Sequence, residues 1–180
     1  MPNTSPSSDE VPLTQIGRPE FDALVAREAT LHGGRRTLRC RTVADGHLRQ
    51  MNYVRDLKPY AIEERIGPGR EDAAPTPSEA LLAALGSCLS VGIHANAVAR
   101  SIPIRTLHLD LEADFDLTGA WGVAGVAPCR IGFEAVRITV HIDADAPHEV
   151  LKELVAHVVL WSPAANTIHD PVHLDVVVTK

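Results

Sequence analysis

Apolar and polar residues alternate with a period of two in three segments of the chain, which is typical of strands that bury one face. These segments are residues 107–111, 138–142 and 174–178. Residues 37–43 and 47–55 add a predicted hairpin, because Asp45-Gly46 between them is a short-range hairpin signal. The pattern therefore predicts five strands, two of them joined by a tight turn.

Two longer segments have helical spacing, and a third, short helix is predicted around Phe21, Leu24 and Val25. Residues 80–99 follow helix-start signals and are apolar on most sides, which predicts a long buried central helix enclosed by protein. A further helix is predicted to begin at Pro147 and to end before Pro163. The order of strands, buried helix, strands, helix and strand predicts an α+β fold with mainly antiparallel sheets.

The composition is that of one ordinary globular domain. The chain has 180 residues, of which 45% are hydrophobic and 22% charged, so it can bury a core. Residues 1–14, rich in Pro, Ser and acidic residues, are expected to form a flexible tail, and residues 15–180 a single domain. A net charge of −6, without a block of Lys and Arg, disfavours nucleic acid or an anionic membrane as a partner.

No segment predicts export or membrane insertion. The longest apolar run, residues 80–93, is interrupted by Gly and Ser and is shorter than the ~20 residues that a spanning helix needs. The N-terminus lacks the basic, apolar and cleavage regions of a signal peptide. We therefore expect a cytoplasmic protein. Its three cysteines, an odd number without a CxxC pair, argue against a disulfide framework or a Cys-rich zinc site.

Cys88 is the first candidate for chemistry, because it lies among small residues in the predicted central helix. Two interpretations stay open. Cysteine is often a small buried hydrophobe, but it becomes reactive where a positive partner favours the thiolate. The candidate partners are the arginines on or before the first hairpin, unless these form a solvated strand face: Arg35, Arg36, Arg39 and Arg41.

Nine histidines raise the question of a metal site. His169 and His173 are four residues apart, but Pro171 prevents an uninterrupted helix that would place both on one face. His94 and His157 lie on predicted helices without a nearby partner in the sequence. We therefore predict no metal ligands and no cofactor.

The segment Pro77-x-Glu79-Ala-Leu-Leu-Ala-Ala-Leu-Gly-Ser-Cys88, followed later by Trp161-Ser162-Pro163-Ala-Ala-Asn166, resembles a known family. This is the osmotically inducible protein C and organic hydroperoxide resistance (OsmC/Ohr) family. The resemblance covers residues 33–179 and implies an OsmC-like fold, built as an intertwined homodimer with active sites at the subunit interface.

The resemblance also implies roles for individual residues. Cys88 matches the cysteine that attacks an organic hydroperoxide as a thiolate and becomes a sulfenic acid. Arg35, or failing that Arg36, matches the arginine that favours the thiolate, and Glu79 matches an acidic residue that pairs with it. Arg36, Ser162 and Trp161 are then candidates for substrate binding, although a tryptophan at a helix end often has only a packing role. Asn166 matches a position that we expect to be structural.

Two departures from the family pattern shape the functional prediction. Ser162 occupies the place of the second cysteine, and a hydroxyl cannot form the disulfide that regenerates the enzyme. Cys129 and Cys40 are weak substitutes for it. Glu79 lies nine residues before Cys88, on the opposite side of a straight helix, so it could instead favour the helix N-terminus.

These residues predict two functions. The first is a hydroperoxide reductase, or peroxidase, that works through Cys88 alone and is reduced by an external thiol, as part of oxidative stress defence. The alternative is a non-catalytic protein that binds a small hydrophobic ligand at the dimer interface.

Overall fold

A computed structural model describes residues 12–31, 35–64, 73–116, 131–170 and 172–179. The chain divides into two compact units. We call Met1–Phe21 together with Leu85–Lys180 the larger unit, and Asp22–Ala84 the smaller unit. The single domain predicted for residues 15–180 stays a prediction.

The elements confirm the predicted α+β class. The helices are α1 (Arg18–Thr30), α2 (Pro77–Ala99), α3 (His148–Trp161) and α4 (Pro163–His169). The strands are β1 (Arg41–Ala44), β2 (Arg49–Tyr53), β3 (Tyr60–Glu63), β4 (Ile104–Phe115) and β5 (Phe133–Ala144). The prediction missed β3 and α4, since four and seven residues are too few to show a clear period.

The smaller unit contains an antiparallel sheet in the order β1-β2-β3. The predicted hairpin is confirmed, with Arg41 opposite Tyr53 and Ala44 opposite Gln50. Its strands are shorter than predicted. The second begins at Arg49 because Gly46, His47 and Leu48 all have positive φ angles and form the turn. Most of α1 also belongs to this unit, and its 13 residues exceed the one or two turns that we predicted.

The core of the larger unit lies around the second half of α2. Leu85, Leu89, Ile93 and Ala97 are all buried there. They form one cluster with Leu154 of α3 and are covered by the apolar face of the antiparallel β4–β5 ribbon. The central helix therefore has the position that the sequence predicted.

Two glycines allow close contacts in this core. A Cβ atom added to Gly86 would lie 2.8 Å from Cδ1 of Leu111, and one added to Gly92 would lie 2.6 Å from Cγ1 of Val158. Both distances are shorter than van der Waals contact, so β4 and α3 approach α2 more closely than a larger residue would permit.

The opposite face of the ribbon is polar and carries ion pairs. Arg137 contacts both Glu112 and Asp114, and Arg105 contacts Asp143. Hydrogen bonds from the two guanidinium groups hold the pKa of Asp114 and of Asp143 below its ordinary value. The inward and outward positions therefore alternate as the sequence predicted.

The predicted strand at residues 174–178 is wrong for this single chain. Residues 172–179 pair with no strand in the described part of the chain. Leu174, Val176 and Val178 are 79%, 84% and 91% exposed. A strand needs a neighbour for its backbone hydrogen bonds, and the described chain supplies none here.

Helix α2 is also less enclosed than predicted, because Leu81 and Val91 remain exposed. Its length and hydropathy alone would suffice to cross a membrane, and it is the one such helix among the described residues. Core helices of soluble proteins have the same properties. The buried Leu89 and Ile93 give α2 such a core role.

The structure differs from the predicted flexible tail at the last residues of that tail, 12–14. Leu13, within the predicted tail 1–14, donates a backbone hydrogen bond to the carbonyl of Arg105, at 2.8 Å, and packs against the core. Residues 12–14 therefore belong to the larger unit, and residues 1–11 lie outside the described residues.

Candidate active site

Cys88 and Ser162 meet inside the larger unit. The Sγ atom of Cys88 lies 3.3 Å from Oγ of Ser162. Cys88 is half-buried, whereas Ser162 is only 4% exposed. The structure thus brings together the candidate nucleophile and the residue that replaces the second cysteine.

Ser162 is held by its place between two helices. It ends α3, and its Oγ accepts a hydrogen bond from the backbone N–H of Ala165 at the start of α4, at 3.2 Å. A hydroxyl has one proton to donate. The sulfur of Cys88 is within reach of that proton, and the Ser162 oxygen can accept from Ala165 at the same time.

Asn166 also restrains the corner at Ser162, where α3 ends and α4 begins. Its Nδ2 donates to the carbonyl of Ser162 at 2.8 Å and to that of Leu160 at 3.0 Å. Two hydrogen bonds to the last turn of α3 restrain the backbone that carries the Ser162 side chain. The structural role expected for Asn166 is therefore the one its contacts support.

Trp161 lies next to Ser162 in the sequence but is 71% exposed. Its ring centroid is 6.1 Å from that of His157, one turn earlier on α3. An indole exposed to this extent contributes little to the core of the described chain. Its assignment to substrate binding stays a prediction.

The other candidate residues belong to the smaller unit. Arg36 forms an ion pair with Glu28 at 2.7 Å. Arg35 is exposed and has no ion pair with any described residue. Glu79 accepts a hydrogen bond from the backbone N–H of Thr76 at 2.8 Å, and Thr76 Oγ1 accepts from Glu79 N at 3.3 Å. This reciprocal pair is a capping box at the start of α2, which supports the helix-stabilising alternative for Glu79.

The remaining cysteines add little to the site. Cys40 is exposed, and its sulfur lies 4.0 Å from Oγ1 of Thr42 in the smaller unit. Cys129 lies outside the described residues, as does the Gly33-Gly34 pair that precedes Arg35.

Sequence reasoning missed one group of polar residues, His108, Asp110 and His141 on the outer face of the β4–β5 ribbon. Their period-two positions on two strands could have indicated a shared face. Only the strand register, however, places His108 opposite His141.

Comparison with known proteins identifies the family. The profile of the OsmC-like protein family matches residues 69–177, more than half of the chain. The chain belongs to the OsmC-like protein family. Cys88, Glu79, Trp161 and Ser162 lie inside the matched range, whereas Arg35 and Arg36 precede it.

Solved structures share this OsmC-like fold. An OsmC-like protein from Mycoplasma pneumoniae has a TM-score of 0.63 at 18% identity, over 76% of this chain and 89% of that chain. An OsmC-like protein of unknown function from Vibrio cholerae has a TM-score of 0.58 at 10% identity, over 74% and 94%. The organic hydroperoxide resistance protein OhrB of Bacillus subtilis has a TM-score of 0.51 at 14% identity, over 76% and 93%. No curated protein sequence matches the chain significantly.

Proposed function

We propose that this OsmC-like protein is a thiol-dependent reductase of organic hydroperoxides that acts through Cys88 alone. The observation that carries the proposal is the 3.3 Å contact between Cys88 Sγ and the Ser162 hydroxyl. Proteins that share the fold include ones named for organic hydroperoxide resistance. The proposal includes a cytoplasmic location and a role in oxidative stress defence.

The proposed reaction begins at the sulfur. The Cys88 thiolate attacks the terminal oxygen of the hydroperoxide, the O–O bond breaks, and the organic part leaves as an alcohol after taking up a proton. Cys88 becomes a sulfenic acid. One external thiol then displaces water to form a mixed disulfide, and a second external thiol releases Cys88 as the external disulfide forms.

Ser162 supports the first step and makes the external thiol necessary. Its hydroxyl proton is available to the sulfur, and a hydrogen bond to a charged group stabilises it more than a neutral bond would. Its oxygen cannot form a disulfide with Cys88, so Ser162 cannot resolve the sulfenic acid. Electrons must therefore come from outside the Cys88–Ser162 pair.

Arg35 is the proposed source of positive charge for the thiolate, and Glu79, whose carboxylate also caps α2, is its proposed acidic partner. Arg36 is the weaker choice, because Glu28 already neutralises its guanidinium. Arg36, Ser162 and the exposed Trp161 are proposed to contact the substrate.

The test is to mix the fully reduced protein with cumene hydroperoxide or with hydrogen peroxide and to follow each cysteine by intact and peptide mass. We expect a single oxygen addition at Cys88, faster with the organic peroxide, which becomes a mixed disulfide when a thiol is added. Cys88→Ser should abolish it, Arg35→Ala should slow it, and Cys40→Ser is the matched control. If Cys88 reacts no faster than the exposed Cys40, the proposal fails.

A second candidate function is binding of a small hydrophobic ligand without turnover. An open groove of about 400 Å³ in the larger unit favours it. Its lining is Val140, Ile142, His148, Leu151, Lys152, Val155 and Ala156. Fatty-acid binding that is unchanged by Cys88→Ser, in a protein that consumes no peroxide, would support this function over the first.

We also propose that the protein acts as a homodimer. Leu81 and Val91 on α2 and the apolar positions of residues 172–179 are exposed in the single chain. A second copy that covered them would remove apolar surface from water, which stabilises association.

A further inference from the structure

Three side chains of metal-binding type lie together on the outer face of the β4–β5 ribbon. His108 is directly opposite His141 in the strand register, and Asp110 follows His108 by two residues on the same face. One ligand atom from each residue lies within 4.8 Å of the other two. None of the three has a part in the proposed reaction at Cys88.

One separation in this group matches a tetrahedral zinc site, and rotation of the stacked rings would be needed to bring both imidazole nitrogens onto one ion. His141 Nε2 lies 3.2 Å from Asp110 Oδ2. Zinc–ligand bonds of about 2.0–2.2 Å at tetrahedral angles place neighbouring ligand atoms about 3.3 Å apart. The separation between His141 Nε2 and Asp110 Oδ2 therefore already matches that of two zinc ligands. All three ligand atoms lie within 4.8 Å of one another, so the remaining separations must shorten by at most about 1.5 Å, which is within the reach of side-chain rotation.

The two imidazole rings are stacked, with centroids 4.2 Å apart and planes inclined by 5°. The Nδ1 atom of His108 is buried and has no hydrogen-bond partner among the described residues. Buried polar nitrogens normally have a partner. The described protein groups thus leave this histidine incompletely satisfied.

Neighbouring carboxylates on this face already have arginine partners. Arg137 holds Glu112 and Asp114, and Arg105 holds Asp143. Asp110 differs, because among the described residues its only ion-pair partner is His141. Among the described carboxylates on this face of the ribbon, the one without an arginine is therefore the one beside the two imidazoles.

We infer that His108, Asp110 and His141 form a binding site for a divalent ion of the zinc type. Two imidazole nitrogens and one carboxylate oxygen are ligands that zinc accepts, and three protein ligands leave a fourth position for water. The ion would link β4 to β5 across the ribbon. The site is independent of the proposed peroxide chemistry.

The test is a titration of the untagged full chain with Zn²⁺. Binding is measured by calorimetry and, independently, by competition with a chromogenic chelator. Co²⁺ is a second probe, because its visible absorption reports tetrahedral coordination. We expect one ion per chain and a higher unfolding temperature in its presence. His108→Asn, Asp110→Asn and His141→Asn should each weaken binding by at least about tenfold.

His169→Asn is the matched control, because His169 lies 4.0 Å from Asp170 in a pair without a third described ligand. It should leave binding unchanged, and circular dichroism should show that all four variants are folded. Weak, non-saturating binding, or equal binding by the three ligand variants and the parent, would overturn the inference. Peroxide reduction by Cys88 is measured separately, so failure of one proposal leaves the other standing.

Discussion

At the scale of single residues, the contact between Cys88 and Ser162 makes a gain-of-function experiment possible. Ser162→Cys places a thiol where the hydroxyl now lies 3.3 Å from Sγ of Cys88, and a disulfide needs about 2.05 Å between its sulfurs. After oxidation by an organic hydroperoxide, we expect an intramolecular disulfide instead of a persistent sulfenic acid. Peptide mass mapping without reduction would detect it.

Thr167→Cys is the control for that variant. Thr167 lies on α4, the short helix that Ser162 caps, is exposed, and its hydroxyl bonds only to the backbone of Pro163 among the described residues. Its thiol should stay free under the same conditions. If both variants form the disulfide equally, chain flexibility rather than the 3.3 Å contact explains it.

The motif located Cys88 and Ser162 in the sequence, but not their contact. That contact depends on the corner between α3 and α4, which Asn166 and the cap to Ala165 hold. Prediction from sequence was weaker for Glu79, because the same carboxylate suits a capping box and an ion pair. The His108–His141 contact depends on strand register, which alternation alone does not determine.

At the scale of elements, the two glycines of α2 should respond differently to alanine. Glycine to alanine within a helix normally stabilises it by about 1 kcal/mol. At Gly92 the new Cβ would lie 2.6 Å from Cγ1 of Val158. Val158 is 3% exposed and β-branched, so it cannot rotate away. We expect Gly92→Ala to lower the free energy of unfolding by about 1–3 kcal/mol.

Gly86→Ala is the comparison for that prediction. Its Cβ would meet the flexible end of Leu111, which is only partly buried and can move. Urea unfolding should therefore show a smaller loss for Gly86→Ala than for Gly92→Ala. The double variant Gly92→Ala with Val158→Ala should destabilise less than the sum of the single changes. A midpoint for Gly92→Ala above that of the parent would refute the close contact.

The spacing of apolar residues predicted the long elements best. Helix α2 and the two 12-residue strands β4 and β5 were found from their spacing. Pro163 was interpreted correctly as the end of α3, but α4 begins at that same proline. Proline suits the first position of a helix as well as the end of the previous one, so its presence alone did not separate the two cases.

At the scale of the whole molecule, the main error was the strand predicted at residues 174–178. The alternation there is genuine, but the described chain provides no neighbouring strand. The prediction that α2 is enclosed on most sides also failed in part, since Val91 remains 69% exposed. Both predictions assumed that every apolar face is covered within one chain, which an oligomer does not require.

The proposed dimer leads to a prediction about this segment. If residues 172–179 add as a strand against a second copy, with the predicted face buried, positions of one parity become covered. Leu174→Asp or Val176→Asp would then place a charge in the interface. Val177→Asp is the matched control, because Val177 is 80% exposed in the single chain against 84% for Val176 but points to the opposite face of such a strand.

Sedimentation velocity over a range of concentrations would distinguish these cases. We expect the parent and Val177→Asp to be dimers, and Leu174→Asp and Val176→Asp to dissociate at concentrations at least about tenfold higher, since a charge in an apolar contact is costly to desolvate. A monomeric parent would contradict the dimer. If Val176→Asp and Val177→Asp weaken the dimer equally, the dimer stands but the one-sided strand is rejected. Only a one-sided strand distinguishes two neighbouring valines that are almost equally exposed in the single chain.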